Sequence, residues 1–231
     1  MSAPAGWLLI AYGGSLLILL LNAFWAKDSF TGKVEPFNWT LDAFQRLIDN
    51  PVYSTIALRT LGLAILVTIT CALLALPIAY YMARIASPRV RGLMIVAVLI
   101  PLWAAYLVKV YAWRIILQEN GILNWALDPF GLSGPGFGNV ATWLVFSYLW
   151  LPFMILPVYA GLERIPSSML EASADLGAKG LRTLWRVVLP LALPAIAAGS
   201  IFTFSLTLGD YITPQLVSST QFIGNVVYAN V

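Results

Sequence analysis

Five long runs of apolar residues divide the chain, and the charged residues are concentrated in the segments between them. The runs cover residues 7–25, 60–83, 93–117, 140–162 and 189–209. A helix that crosses a bilayer needs about 20 predominantly apolar residues, so each run predicts one transmembrane helix. The pattern therefore predicts an all-α polytopic membrane protein in which residues 1–231 form a single transmembrane domain.

The first run is predicted to be an uncleaved transmembrane helix. Residues 1–6 carry no positive charge, whereas a cleaved signal peptide begins with a basic region. Residues 26–59 are predicted to form a loop of mixed charge. Within it, the spacing of Leu41, Phe44 and Leu47 indicates a short amphipathic helix, which either lies on the membrane surface or packs on the protein.

Prolines fall inside most of the later runs. Because proline lacks a backbone N–H, we expect each of them to bend or break its helix. Membrane helices tolerate such breaks when neighbouring groups satisfy the freed carbonyl. The residues concerned are Pro77, Pro152, Pro157 and Pro194, whereas Pro101 lies near the start of the third run.

Basic residues predict the orientation in the membrane. Residues 84–91 contain three arginines and no acid, and residues 163–186 hold more basic than acidic residues, whereas residues 119–139 contain two acids and no base. Cytoplasmic loops carry an excess of Lys and Arg. We therefore predict that the first two segments lie in the cytoplasm, that the third lies outside, and that the amino terminus is cytoplasmic.

The carboxyl-terminal residues 222–231 are apolar but too short to cross a bilayer. We expect them to begin a sixth span near Ile223 that continues beyond Val231.

Composition excludes several classes of protein. The chain is 60% hydrophobic and 10% charged, whereas soluble domains average about 25% charged residues. With one Cys and no His, a disulfide framework, a His-dependent catalytic pair and a protein-built zinc or haem site are not expected. The sequence contains no P-loop, and a net charge of +3 does not favour nucleic acid. We predict no catalytic residue, metal ligand or cofactor in this chain, and membrane lipid around it.

The connection between the fourth and fifth runs contains its own predicted structure. Residues 167–176 predict a short helix that Pro166 opens and Gly177 ends in the left-handed conformation. A second short helix is predicted to end near Val188, after which Pro190 begins the fifth span. Glu171 and Asp175 share one helical face, where like charges cost about 0.2–0.5 kcal/mol. A partner with Lys or Arg would reverse that cost, although a solvated acidic face is the simpler interpretation.

This region resembles the EAA loop of the membrane-spanning subunits of ABC importers. That pattern is Glu-Ala-Ala, three residues, Gly, nine residues, then Ile-x-Leu-Pro. Ser173 departs from it by replacing the second Ala, and Val187 by replacing Ile. The resemblance implies that residues 163–188, hereafter the coupling loop, dock into a groove on a cytoplasmic ATPase. The coupling residues it indicates are Glu171, Ala172, Ser173, Asp175, Gly177, Val187, Leu189 and Pro190.

Further segments look like permeases of the spermidine/putrescine class, in particular the first of their two membrane subunits. These segments are 101–103, 107–114, 121–124, 209–214 and 223–225. The resemblance implies the type I ABC importer permease fold, in a bacterial inner membrane. It also implies a heterodimer with a second permease subunit, two copies of an ATPase that binds ATP and Mg²⁺, and an extracytoplasmic solute-binding protein. The chain itself would not be an enzyme.

A polyamine needs carboxylates and aromatic faces. Asp210, at the end of the fifth run, is the leading candidate, although an acid facing water at a helix end is the simpler reading. The other candidates for the substrate pathway are Tyr211, Tyr111, Trp113 and Glu119. Anchoring at the membrane interface also explains such aromatics, including Tyr106. Permeation of iron, sulfate, phosphonates or opines stays open, as does a secondary transporter that needs no ATPase.

Overall fold

The computed structural model describes residues 6–27 and 34–229, which form helices and one pair of strands. Residues 28–33 of the predicted loop and any span beyond residue 229 lie outside these ranges. The strands are β1 (Trp25–Lys27) and β2 (Val34–Trp39). The helices are α1 (Gly6–Asn22), α2 (Asp42–Asp49), α3 (Pro51–Ile85), α4 (Pro88–Trp103), α5 (Tyr106–Leu117), α6 (Ile122–Leu127), α7 (Asn139–Glu163), α8 (Ser167–Asp175), α9 (Gly180–Gly209), α10 (Ile212–Val217) and α11 (Ile223–Ala229).

The chain divides into two units, residues 1–56 and residues 57–231. In the first unit, β1 and β2 pair antiparallel, with a bulge between Trp25 and Ala26. This hairpin corrects the prediction of a loop at residues 26–59. The ring of Phe24, next to β1, lies 6.5 Å from that of Trp39 on β2 and 5.0 Å from that of Phe44 on α2. The local sequence pattern did not indicate the strand pair, because contacts of this kind join residues that are apart in sequence.

The predicted amphipathic helix is present as α2. The backbone N–H of Asp42 donates to the side-chain oxygen of Thr40 at 3.1 Å, so a hydroxyl caps the first turn. Leu41, Phe44 and Leu47 are exposed. Their apolar side chains are therefore available to lipid or to another subunit.

The helix of the predicted second span begins nine residues earlier than the apolar run, at Pro51 instead of Thr60. The side chain of Asn50 accepts a hydrogen bond from the N–H of Val52 at 3.0 Å, and Pro51 occupies the first helical position. Both are strong helix-start features. These two features set the start of the helix at Pro51. The apolar run marks only the apolar part of the helix, so it did not include the more polar residues 51–59.

The predicted third span is not one straight helix. Helix α4 ends at Trp103, and α5 begins at Tyr106 after a bend of 93°. Ala104 and Ala105 have extended backbone, with ψ of 137° and 135°. The start of α5 is held by a hydrogen bond from the hydroxyl of Tyr106, its first residue, to the carboxylate of Asp210, which lies just before α10. A contact with a segment so distant in sequence is invisible to a hydropathy pattern.

Helix α7 is the centre of the second unit. In the most apolar stretch of 18 residues in α7, 56% of the residues are buried, compared with 28% for the corresponding stretch of α3 and 22% for that of α9. The predicted breaks at Pro152 and Pro157 are wrong, because both prolines lie inside a continuous helix. Its buried residues pack against a stripe on α3 that consists of Val67, Cys71, Ala75, Ala79 and Met82.

Glycine allows α7 and α9 to approach closely. A Cβ at Gly161 would collide with the Cβ of Ala195, and one at Gly199 would lie 2.7 Å from the Met154 sulfur. Small residues at the interface are the usual way that membrane helices come into close contact. This packing connects the two helices that flank the coupling loop.

Helix α9 corrects the prediction of two separate helices at residues 178–209. It runs without a break from Gly180 through Pro190 to Gly209. Residues 184–188 form a wider turn, in which the N–H of Leu189 donates to the carbonyl of Leu184 five residues earlier. A wide turn accommodates the proline that follows, because the hydrogen-bond ladder is already displaced before the missing N–H.

Candidate functional site

The coupling loop contains the helix that the sequence predicts. Helix α8 spans Ser167–Asp175, and Pro166 precedes it in extended conformation. Gly177 has φ of +76°. Its N–H donates to the carbonyl of Ala174 at 2.8 Å, and the N–H of Ala178 donates to that of Ser173 at 3.0 Å. This is the Schellman arrangement, so the predicted left-handed role of Gly177 is confirmed.

Ser173 has a structural role that its small size did not suggest. Its side chain is buried, and its hydroxyl lies 3.0 Å from the hydroxyl of Thr183. This hydrogen bond joins α8 to the first turn of α9. At the position where Ser replaces Ala in the EAA pattern, the chain therefore gains a contact that fixes the angle between the two helices.

The outer face of the coupling loop combines acids with exposed apolar side chains. Glu171 and Asp175 are exposed. Leu176 is 89% exposed, Leu181 71% and Trp185 63%. Such a cluster of large apolar side chains typically marks a surface that another protein or a membrane covers.

A groove of about 490 Å³ lies between α8 and the first turns of α9, and Leu176 is among the residues that line it. Ala172, Ser173 and Val187 line it together with Arg182 and Arg186. Leu189 and Pro190, the last two coupling residues indicated by the sequence, lie inside α9. The predicted coupling residues therefore lie in different places: on an exposed acidic face, along the groove, at the glycine that ends α8, and within the length of α9.

Two arginines make contacts with the residues at the start of the coupling loop. Arg84, on α3, donates to the carbonyl oxygens of Leu162 and Ile165 at the end of α7. Arg91, on α4, lies 3.5 Å from the carboxylate of Glu163. The sequence assigned these arginines only to membrane orientation, because nothing local shows which carbonyl groups they contact.

Asp210 lies between α9 and α10, where its carboxylate accepts several hydrogen bonds. Oδ1 accepts from the N–H groups of Ile212 at 2.9 Å and of Thr213 at 3.1 Å. Oδ2 accepts from the hydroxyls of Thr213, at 3.0 Å, and of Tyr106. The acid therefore caps α10 and also contacts the start of α5. All four acceptor positions of the carboxylate are occupied.

Tyr106 and Thr213 are members of this cluster that sequence reasoning missed. Thr213 had a detectable signal, because Asp is favoured at a helix start, where its side chain accepts from the N–H groups two and three residues later. Tyr106 had none, since it lies 104 positions from Asp210. Its ring also stacks on that of Trp150, with centroids 6.2 Å apart and an interplanar angle of 12°.

The other predicted pathway residues do not share this cluster. Tyr211 stacks on Tyr228 with ring centroids 4.3 Å apart, and Trp113 packs against Tyr148 at 5.5 Å. Tyr111 and Glu119 are exposed on α5 and just after it. Within the described ranges, the hydrogen bonds of Asp210 go to Tyr106, Ile212 and Thr213. The structure therefore joins Asp210 to a tyrosine other than those predicted.

Comparison with known proteins identifies a family. Residues 71–228 match the model described as "Binding-protein-dependent transport system inner membrane component". The chain is 50% identical over 242 residues to the inner membrane ABC transporter permease protein YdcU of Escherichia coli K12, covering 98% of this chain and 77% of YdcU. It is 31% identical over 230 residues to the spermidine/putrescine transport system permease protein PotB of the same organism, covering 96% and 82%.

Solved structures show the same fold. A chain of a bacterial ABC transporter that imports the acidic polysaccharide alginate matches with a TM-score of 0.71 at 19% identity, covering 98% of this chain and 80% of that one. A bacterial alginate ABC transporter in complex with an alginate pentasaccharide-bound periplasmic protein matches with a TM-score of 0.74 at 17% identity, covering 97% and 79%. At this identity the likeness concerns the fold alone.

Proposed function

The chain belongs to the family of binding-protein-dependent transport system inner membrane components, and we propose that it imports polyamines using an ATPase bound at its coupling loop. As a member of this family it is a multi-pass permease subunit of an ABC importer. It is a transport component and not an enzyme. Family membership also sets aside the alternative of a secondary transporter that needs no ATPase.

The observation that carries the coupling proposal is the surface formed by α8 and the first turns of α9. Leu176, Leu181 and Trp185 are all more than half exposed. Burying a leucine side chain contributes about 1.5–3 kcal/mol, so a partner with an apolar groove gains substantially by covering these residues. Glu171 and Asp175 would meet basic side chains there, which would turn their mutual repulsion into attraction.

The remaining partners follow from the same proposal. Two copies of the cytoplasmic ATPase bind ATP and Mg²⁺, and this chain and a second permease subunit form a heterodimer around the solute pathway. An extracytoplasmic solute-binding protein delivers the substrate. The excess of basic residues in segments 84–91 and 163–186 supports the proposal that the coupling loop and the amino terminus lie in the cytoplasm, on the side of the ATPase.

Polyamine is the proposed substrate because of the likeness to PotB and because a carboxylate lies at the end of α9. An ammonium group binds a carboxylate through charge-assisted hydrogen bonds. Since four donors already occupy Asp210, a substrate amine would have to replace one of the hydroxyl donors. The Tyr106 hydroxyl is the one that belongs to a different helix, so its replacement would free α5 from α10.

The test is uptake of labelled spermidine and putrescine by proteoliposomes that contain the whole assembly, with and without ATP. We expect ATP-dependent uptake of either compound, with competition by the other. Stimulated ATP hydrolysis without polyamine uptake would retain the importer and refute the substrate. In that case iron, sulfate, phosphonates and opines would be the solutes to test next.

A further inference from the structure

The carbonyl groups at the end of α7 are held by a side chain from another helix. The last carbonyls of any helix have no partner within that helix. Here Arg84 of α3 adds a donor from another helix. Its Nη2 binds the carbonyl oxygen of Leu162 at 2.6 Å, which also accepts from the N–H of Ile165 at 3.3 Å, and it binds the carbonyl oxygen of Ile165, just beyond the end of α7. A cation at this end also interacts favourably with the helix dipole. Arg84 therefore connects α3 to the end of α7.

These contacts lie at the first residues of the coupling loop. Ile165 is buried and directly precedes Pro166, after which α8 begins. At the amino-terminal end of α8, a displacement therefore passes to Ile165 through a short and stiff connection in which proline has restricted rotation. The residue that receives the displacement is the one whose carbonyl oxygen Arg84 holds.

A second arginine connects α4 to the same place. The Nε of Arg91 donates to the carbonyl of Met82 at 3.0 Å, and its Nη1 lies 3.5 Å from the carboxylate of Glu163. The side chains of Arg91 and Glu163 are 33% and 50% exposed. Exposed ion pairs contribute little because water screens them. Arg84, which is half-buried and binds two carbonyls, is therefore the stronger connection.

We propose that Arg84 is a positioning residue that makes the end of α3 and the start of the coupling loop move as one body. When the ATPase displaces α8, Arg84 transmits that displacement to α3, and Arg91 extends it to α4. This inference rests on the proposed docking of the coupling loop on an ATPase. The competing explanation is that Arg84 merely caps α7. In that case its loss would lower stability, but the end of α3 and the start of the coupling loop would still move together.

The test is a distance measurement by pulsed electron spin resonance on the whole assembly in nanodiscs. Spin labels are placed at Ser87, between α3 and α4, and at Ser167, the first residue of α8, in a Cys71→Ala background. Both serines are exposed. Distances are measured without nucleotide and after trapping with ATP and vanadate. The labelled protein that retains Arg84 is compared with the labelled Arg84→Gln variant.

With Arg84 present, we expect the same distance in both nucleotide states, because the labelled segments move together. In Arg84→Gln, trapping should change the mean distance by about 1–2 Å, the size of a helix shift at a packed interface. Arg84→Lys, which retains the charge and several donors on a shorter side chain, should restore the wild-type behaviour in part. ATP hydrolysis should continue in all three proteins.

Arg89→Gln is the matched control. Arg89 is exposed in the first turn of α4 and, within the described part of the chain, makes no hydrogen bond or ion pair. Its substitution removes the same charge, so it separates the effect of the contacts from that of the local potential. The distance in Arg89→Gln should stay constant on trapping.

Three results would overturn the inference. One is a distance that already changes on trapping when Arg84 is present, and another is a distance that stays constant in Arg84→Gln. The third is loss of the ATPase from the Arg84→Gln complex alone, which would make Arg84 a requirement for docking. Failure of the wild-type chain to retain an ATPase would instead refute the proposed function, and it would be seen before any label is introduced.

Discussion

The hydroxyl of Tyr106, at the start of α5, donates a hydrogen bond to the carboxylate of Asp210, which precedes α10. The same hydroxyl lies 2.6 Å from that of Thr213. This contact holds α5 against α10 immediately after the 93° bend at residues 104–105. It also determines what a cationic substrate must displace in order to reach Asp210.

Asp210→Asn should separate the capping role of this residue from its charge. The remaining side-chain oxygen can still accept from the N–H groups of Ile212 and Thr213, so we expect the assembly to fold. A hydrogen bond to a charged group is worth about 1.5–3 kcal/mol, which corresponds to a rise of roughly tenfold or more in KM for spermidine uptake. The measurement is the concentration dependence of ATP-driven uptake by proteoliposomes.

Tyr106→Phe is the companion variant. It removes one donor but leaves the carboxylate, so we expect a loss of about 1 kcal/mol in stability, measured by thermal unfolding, without the rise in KM. An Asp210→Asn protein that loses stability but transports spermidine with unchanged KM would show that Asp210 is only a helix cap.

Glu171→Lys should reduce the ATP hydrolysis that the loaded binding protein stimulates, while membrane insertion remains intact. The reversed charge would repel the basic groups proposed on the ATPase, and close interfacial charge pairs are worth about 1.5–7 kcal/mol. We therefore expect at least a roughly tenfold loss of stimulated hydrolysis. Asp49→Lys makes the same charge change at an exposed position of α2 and should have no such effect. Normal transport by Glu171→Lys would refute the role given to this residue.

Gly177→Ala should destabilise the end of α8. The φ of +76° at this position costs an L-residue about 1–2 kcal/mol. We expect a lower thermal unfolding midpoint of the purified assembly and weaker stimulation of ATP hydrolysis. The control is Gly180→Ala, because no atom lies within 4 Å of the added methyl group and the backbone has no positive φ. If the two variants had the same unfolding midpoint and the same stimulated ATP hydrolysis, the left-handed conformation of Gly177 would not be what stabilises the end of α8.

Gly161→Ala should disrupt the contact between α7 and α9. The new methyl group would overlap the Cβ of Ala195, and overpacking of this kind costs about 1–3 kcal/mol. We expect a reduced unfolding temperature that Ala195→Gly restores when the two changes are combined. Gly62→Ala, with open space around the added atom, should be neutral. A double variant no more stable than Gly161→Ala would show that the two helices are not in direct contact here.

Much of the coupling loop could be predicted from the sequence. Helix α8 lies within one residue of its predicted bounds, and Gly177 has the expected left-handed backbone. The signals involved are local, since a helix start and a glycine cap depend on only a few neighbouring residues. The hydrogen bond between Ser173 and Thr183 was not predicted, because it depends on how α8 folds back on α9.

The sequence by itself determined which segments are apolar helices, where the basic connections lie and which family the chain resembles, because hydropathy, charge and motif spacing are properties of short stretches. Only the tertiary structure decided that α4 and α5 meet at a sharp bend, that α9 continues through Pro190, and that Tyr106 binds Asp210. The same holds for the carbonyl groups that Arg84 binds. In each case the deciding contact joins residues that are distant in sequence, or depends on how a hydrogen-bond ladder is displaced inside a packed helix. Local preferences are too weak to determine such contacts before the helices are assembled.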